Sequence, residues 1–252
     1  GVKKGSLPIE PNAFDTKQQH IFDLWFDQPI PQDNDKIDYW KGTDIMSVID
    51  HGKHYYNEPS KLKEQQHIDE LYIKPKKHIL NKINEIYEKE FKDHVVLGVM
   101  ARGCEYNSKD YKNNIDADHP VFGQFLVKDY IKGIKKILKE NPDITKLFFA
   151  SEEQEYVNEL SKEFPNSYFM KDVFRRTDES MNYITKYMCW PNISAKRNNQ
   201  CKLLGEETII QTKLLGMSNY FYGRLSGIFT GTMLWGKEFN KVYKTCSTNG
   251  SK

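Results

Sequence analysis

The sequence predicts an α/β fold built on a Rossmann-like parallel sheet, and three observations predict it. Short apolar runs alternate with helical patterns of ten to fifteen residues after Asp93, the signature of βαβ units. The run Val95, Val96, Leu97 and Val99 is continuously apolar, as in a parallel strand buried on both faces. Three predicted strands end in polar loops that lead into helices: Arg102 to Pro120, Ser151-Glu152-Glu153, and Gly223-Arg224-Leu225-Ser226-Gly227.

The elements follow in chain order. Residues 1–18 hold two prolines and few apolar residues and are expected to be loosely held. Ile21, Leu24, Trp25 and Phe26 suggest a helix or helical turn stopped by Pro29 and Pro31, with a polar loop over 31–38. Residues 59–91 read as helical, interrupted at Ile73 and Pro75, with Ile79, Ile83, Ile86 and Tyr87 recurring at helical spacing. Then come strand 95–101, a long polar loop with His119-Pro120, and a helix near 123–140 carrying Ile131, Ile134 and Leu138 on one face. Strand 146–150, helix 153–163 and a short strand from Ser167 to Met170 follow, then a less regular stretch over 171–203. Helix 205–216, strand 219–222, helix 226–235 and a last strand near Lys241 to Tyr243 complete the alternation. No repeat or low-complexity tract is present in the sequence.

Composition narrows the function classes. The chain has 252 residues, 38% of them hydrophobic and 13% aromatic, enough for a real core. The net charge of +2, from 37 basic and 35 acidic residues, lacks the concentrated basic excess of a nucleic-acid binder. No apolar run has the length of a membrane helix and no signal-like segment opens the sequence. The expected location is therefore cytoplasmic, with membrane association left open. Cys104, Cys189, Cys201 and Cys246 are widely spaced and form no CxxC, which fits a reducing compartment better than a zinc or disulfide framework. Asn192-Ile-Ser194 matches a glycosylation sequon, a pattern that arises often by chance.

The loops past the strands carry the candidate chemistry. An open α/β sheet takes its ligand at the carboxyl ends of its strands, where Arg102 stands. Arginine grips a phosphate by two parallel hydrogen bonds, although a solvated strand-end arginine is the plain alternative. Helix starts after such strands offer free N–H groups and a positive dipole, which suit a diphosphate. The triplets Asp33-Asn34-Asp35 and Asp116-Ala-Asp118 have the spacing of a metal–diphosphate chelate, but neither closes a buried strand, so no metal is expected. His51 and His54 lack a third ligand and read as surface residues. Phe22, Trp25, Phe26, Tyr39 and Trp40 suit core packing better than sugar stacking.

The ordered motifs resemble the fucosyltransferase superfamily of α1,6-, α1,2- and protein O-fucosyltransferases with their bacterial and viral relatives. They are Met100-Ala101-Arg102-Gly103-Cys104-Glu105 against a His-x-Arg-x-x-Asp signature, then His119-Pro120, Ala150-Ser151-Glu152-Glu153, Gly205-Glu206-Glu207 and Gly223-Arg224-Leu225-Ser226-Gly227. The resemblance spans 94–244 and is faint upstream. It implies a GT-B fold whose C-terminal, donor-binding half is this sheet, and a glycosyltransferase that moves fucose from GDP-fucose to a glycan acceptor by inversion. It implies no cofactor beyond the donor substrate. Residue by residue, it implies that Arg102 holds the donor β-phosphate, Glu152 meets guanine's donor edge, and Ser226 and Gly227 line the phosphates. Glu105, His119, Glu153 and Arg224 join the donor-binding set, and Asp110 is the nearest match to the family's catalytic base, with Asp116 and Asp118 as rivals.

Departures leave other readings open. Met100 stands for a histidine that contacts the nucleotide, Glu105 for an aspartate, and Leu225 for a serine of some members. A changed donor, or a non-catalytic nucleotide-sugar-binding relative, fits those changes. The expected organisation is a reduced, mainly helical acceptor-side region over 1–93, a donor domain over 94–246 and a flexible tail over 247–252. About ninety residues precede the signature strand, fewer than a full second Rossmann half needs; a trimmed chain, a natural fragment or a compact member would all fit.

Overall fold

The computed structural model describes residues 25–27, 59–102, 126–175, 177, 199–224, 226–236 and 238–245. Their elements, in order, are β1 (Phe26–Asp27), α1 (Pro59–Tyr72), β2 (Lys74–Pro75), α2 (Lys77–Glu90), β3 (Val96–Met100), α3 (Val127–Glu140) and β4 (Lys146–Ala150). Then come α4 (Gln154–Glu163), β5 (Ser167–Tyr168), α5 (Gln200–Gly216), β6 (Tyr220–Gly223), α6 (Gly227–Trp235) and β7 (Lys241–Lys244).

The main sheet has five strands in the order β5-β4-β3-β6-β7, and every neighbouring pair is parallel. Strand side chains alternate between faces, and the alternation divides the core in two. Val96, Met100, Phe148, Ala150 and Phe221 face a layer built from Ile79, Ile83 and Ile86 of α2, Ile209, Ile210, Leu214 and Leu215 of α5, and Phe229 of α6. Leu97, Val99, Ala101, Leu147, Phe149, Tyr220 and Tyr222 face Tyr130, Ile134 and Ile137 of α3 and Tyr156 and Leu160 of α4. The result is a sheet covered by helices on both sides, which is why its central strands read as unbroken apolar runs. The expected boundary at 93/94 falls between α2 and β3, which share one hydrophobic cluster. At Gly98 a Cβ would lie 2.6 Å from Ser218 Oγ, so the missing side chain lets the end of α5 close onto the centre of the sheet.

The expected parallel α/β architecture is what the structure shows. Two details differ. Phe26, expected at the end of a helical segment, is extended and pairs antiparallel with Pro75. Tertiary hydrogen bonds win over local periodicity here: Lys76 N–H donates to the Trp25 carbonyl at 2.8 Å, and the Trp25 indole donates to the Lys202 carbonyl at 2.9 Å. Helix α5 starts at Gln200 rather than near 205, entered from Asn199 at a left-handed φ of 58°. The interruption expected at Ile73 and Pro75 is the short β2, and it separates α1 from α2.

Candidate functional site

The strand order creates the site. From β3 the chain crosses to β4 and β5 on one side, then returns to β6 and β7 on the other. The helix after β3 covers one face, and the helix after β6 covers the opposite face. Adjacent strands whose crossovers diverge leave a crevice beyond their carboxyl ends, the ligand position of open α/β sheets. Met100 is in register with Gly223, so Arg102, two residues past Met100, and Arg224, one past Gly223, both follow the paired strand ends at that crevice.

Arg102 is held at main chain and side chain. Its N–H donates to the Tyr130 hydroxyl at 2.9 Å, and that hydroxyl donates to its carbonyl at 3.1 Å. Its Nε lies 3.3 Å from Glu152 Oε1, with both side chains mostly enclosed at 19% and 17% exposure. Thus two residues read separately in the sequence, one for a phosphate and one for a base, form an ion pair. Arg224 is 7% exposed, so its charge is also largely withdrawn from water. Tyr130 is fully buried, and its hydroxyl is pushed far above the ordinary tyrosine range. Burial is the main cause and Glu152 and Tyr222 add to it, while the Arg102 backbone bond and Arg224 oppose it. The phenol therefore stays neutral and keeps its proton to donate.

Glu152 sits in a braced turn. Ser151 Oγ accepts from Glu153 N–H at 3.1 Å, and the Ser151 carbonyl accepts from Arg175 Nε at 3.1 Å. Arg175 is buried, also donates to the Met170 carbonyl at 2.8 Å, and stacks over Phe169. Burial lowers its pKa, and the nearby Glu207 works against that. Glu153 is buried at the N-cap position of α4, so Glu152 is the more open of the two acids.

The turn after β6 offers backbone. Ser226 caps α6: its Oγ accepts from Phe229 N–H at 3.2 Å and donates to Met100 Sδ at 3.6 Å. Thr230 N–H bonds the Ser226 carbonyl at 2.9 Å, closing the first helical turn. The amides of Gly227 and Ile228 remain as first-turn donors without an intrahelical acceptor. Among the described residues, a Cβ built on Gly227 would meet nothing within 4 Å. Met100 is thereby a packing partner of the capping serine.

The structure brings together Arg102, Glu152, Glu153, Arg224, Ser226 and Gly227 around the carboxyl ends of β3, β4 and β6. Asp110, Glu105 and His119 lie outside the described residues, as do both DxD triplets, His51 and His54. Sequence reasoning missed Tyr130 and Arg175. The i, i+4, i+7 series Tyr130, Ile134, Ile137 is the buried stripe of α3, and following it rather than Ile131 and Leu138 would have found Tyr130. No local signal marks Arg175, which lay in the stretch read as irregular. Among the described residues no group of three or more His, Cys, Asp or Glu side chains could hold a metal ion. No helix of the described residues is long and apolar enough to cross a membrane.

The sheet order and its crevice define a Rossmann-type α/β domain. Among solved structures the chain is similar to NodZ α-1,6-fucosyltransferase co-crystallized with GDP, with a TM-score of 0.41 and 16% identity over 64% of this chain and 42% of that one. It is likewise similar to NodZ α-1,6-fucosyltransferase soaked with GDP-fucose, with a TM-score of 0.43 and 17% identity over 68% of this chain and 47% of that one. For POFUT1 in complex with GDP the TM-score is 0.42, with 10% identity over 73% of this chain and 51% of that one. The chain thus spans about half the length of these enzymes or less. No protein-family model and no curated protein sequence matches it.

Proposed function

We propose that this chain binds GDP-fucose and serves as the donor half of a GT-B glycosyltransferase, passing fucose to a glycan hydroxyl by inversion and without a metal. The observation that carries the reading is the junction of β3 and β6, where Arg102, Arg224 and the start of α6 converge on one crevice. The leaving group of such a transfer is a nucleoside diphosphate, so negative charge grows on the phosphate oxygens as the glycosidic bond breaks. Two enclosed guanidinium groups and the Gly227 and Ile228 amides would stabilise that charge.

The Arg102–Glu152 pair gives donor binding a specific form. A carboxylate touching the phosphate-binding guanidinium cannot at the same time reach a base at the other end of the nucleotide. Donor entry therefore exchanges the pair: the diphosphate takes Arg102, and Glu152 turns to guanine, whose ring N–H and amine form a two-donor edge. Glu105, His119 and Glu153 complete the proposed donor set. Asp110 is the proposed base that takes the acceptor proton, and a cytoplasmic location completes the reading. A second reading, binding without turnover, is favoured by one observation: Met100, in place of a nucleotide-contacting histidine, is buried and packs on Ser226.

The test is titration calorimetry with GDP and UDP in the presence of EDTA, on the parent and on Arg102→Ala. GDP should bind more tightly than UDP, because uracil has one ring N–H and no amine. Arg102→Ala should lose at least about tenfold in GDP affinity, consistent with removal of a charge-assisted contact. Equal GDP and UDP affinity would overturn the base assignment, and unchanged affinity in Arg102→Ala would overturn the site. Binding that needs added Mn²⁺ would overturn metal independence. Transfer assays with GDP-fucose then separate the first reading from the second.

A further inference from the structure

We propose that Tyr130 is a positioning residue for Arg102: its hydroxyl fixes the Arg102 main chain where β3 ends and so aims the guanidinium at the crevice. This rests on the nucleotide-binding reading and names a residue through which that site works.

The ladders of β3 with both neighbours end at Met100, and Ala101 N–H makes one more bond to the Ala150 carbonyl at 2.9 Å. Arg102 is the next residue, at the point where the chain leaves the sheet. One phenol oxygen serves both of its backbone groups, accepting from its N–H and donating to its carbonyl. A strand neighbour would use two residues for the same task. Only a neutral hydroxyl can play both parts, and the surroundings keep it neutral: the site is fully buried and the ionised form is disfavoured by Glu152 and Tyr222.

The hydroxyl is itself rigidly placed. The Tyr130 ring meets Tyr222 at 5.8 Å and Tyr156 at 6.1 Å, both edge-on, so strand β6 and helix α4 hold it from two sides. One turn along α3, the absence of a side chain at Gly133 leaves room for the Tyr222 ring end. The start of α3 is tied down by Asp129 Oδ2, which accepts from Leu126 N–H at 2.9 Å. Position therefore passes from α3 through the phenol to the Arg102 backbone, and from there to the guanidinium paired with Glu152. A bond that served stability alone would have no consequence for ligand affinity.

The experiment compares Tyr130→Phe with Tyr220→Phe. Tyr220 donates its hydroxyl to Asp143 at 3.0 Å near the amino end of β6, so its removal costs a similar bond on the same sheet, away from the crevice. GDP affinity is measured by calorimetry well below the unfolding temperature, and amide exchange is followed in the peptide containing Arg102. Tyr130→Phe should weaken GDP binding at least tenfold and speed exchange at Arg102, while Tyr220→Phe stays within twofold of the parent. If Tyr130→Phe does not yield native circular dichroism, 4-aminophenylalanine at position 130 replaces it. That variant keeps a donor for the Arg102 carbonyl but offers its N–H a poor acceptor, and should show intermediate affinity. Parental GDP affinity in either variant overturns the positioning role and leaves the nucleotide reading standing. Equal losses in Tyr130→Phe and Tyr220→Phe also overturn it, in favour of a role in stability alone. Absence of GDP binding in the parent overturns the nucleotide reading, and this proposal with it.

Discussion

Replacing Gly133 by alanine tests the packing beneath the site. In an exposed helix this change stabilises by about 1 kcal/mol, because alanine restricts the unfolded chain and favours the helix. Here the added Cβ would stand 2.2 Å from Tyr222 Oη, 2.7 Å from its Cζ and 3.0 Å from its Cε1. The ring cannot swing clear at no cost: Tyr222 is buried on β6 and meets Tyr130 edge-on. Overpacking a filled core costs about 1–3 kcal/mol, and contacts this short with a ring fixed in a sheet call for the upper end. The net expectation is a loss of about 2 kcal/mol, the difference between that clash and the propensity gain. For a chain of this size that lowers the melting temperature by roughly 4–8 °C. Urea denaturation of the parent, Gly133→Ala, Tyr222→Phe and the double variant measures the coupling directly. Removing the oxygen relieves the shortest contact, so Gly133→Ala should cost at least about 1 kcal/mol less in the Tyr222→Phe background. A stabilising Gly133→Ala, or a cycle that closes additively, would refute the close approach of α3 to β6.

Two further outcomes follow from local chemistry. Ser226→Ala removes the α6 cap and its bond to Met100 and should cost about 1 kcal/mol in urea denaturation, while Ser226→Asp retains a capping acceptor and most of the stability. Asp69 has its pKa raised, first by burial, against the opposing Gln65 hydrogen bond and Lys213. A raised carboxyl pKa favours folding fully below the unfolded value, and that contribution is lost as pH rises through the folded value. Asp69→Asn should therefore be the more stable protein at neutral pH, with the gap closing as pH falls towards about 4, the ordinary carboxylate pKa. A gap that widened in acid would reverse the sign of the argument.

The sequence by itself determined the alternation of strands and helices, because the burial patterns are local and are written as an unbroken buried run in β3 and as every third or fourth residue in α2. It also determined where Arg102, Glu152 and the Ser226–Gly227 helix start lie, each just past a strand end. Tertiary structure alone decided the strand order β5-β4-β3-β6-β7, and with it the crevice between β3 and β6. A continuous apolar run says that a strand has two covered faces but not which strand lies beside it; that is settled by packing of segments far apart in the chain. The same cause explains the residues that were missed or read apart. Tyr130 reaches Arg102 across 28 positions, and Arg175 reaches Ser151 across 24. Glu152 meets Arg102 only because β4 pairs with β3 in a register that sets Ala150 beside Met100. A buried phenol, a buried guanidinium and an enclosed ion pair are each stable only in the company of their partners, and no window along the chain contains both members of any pair.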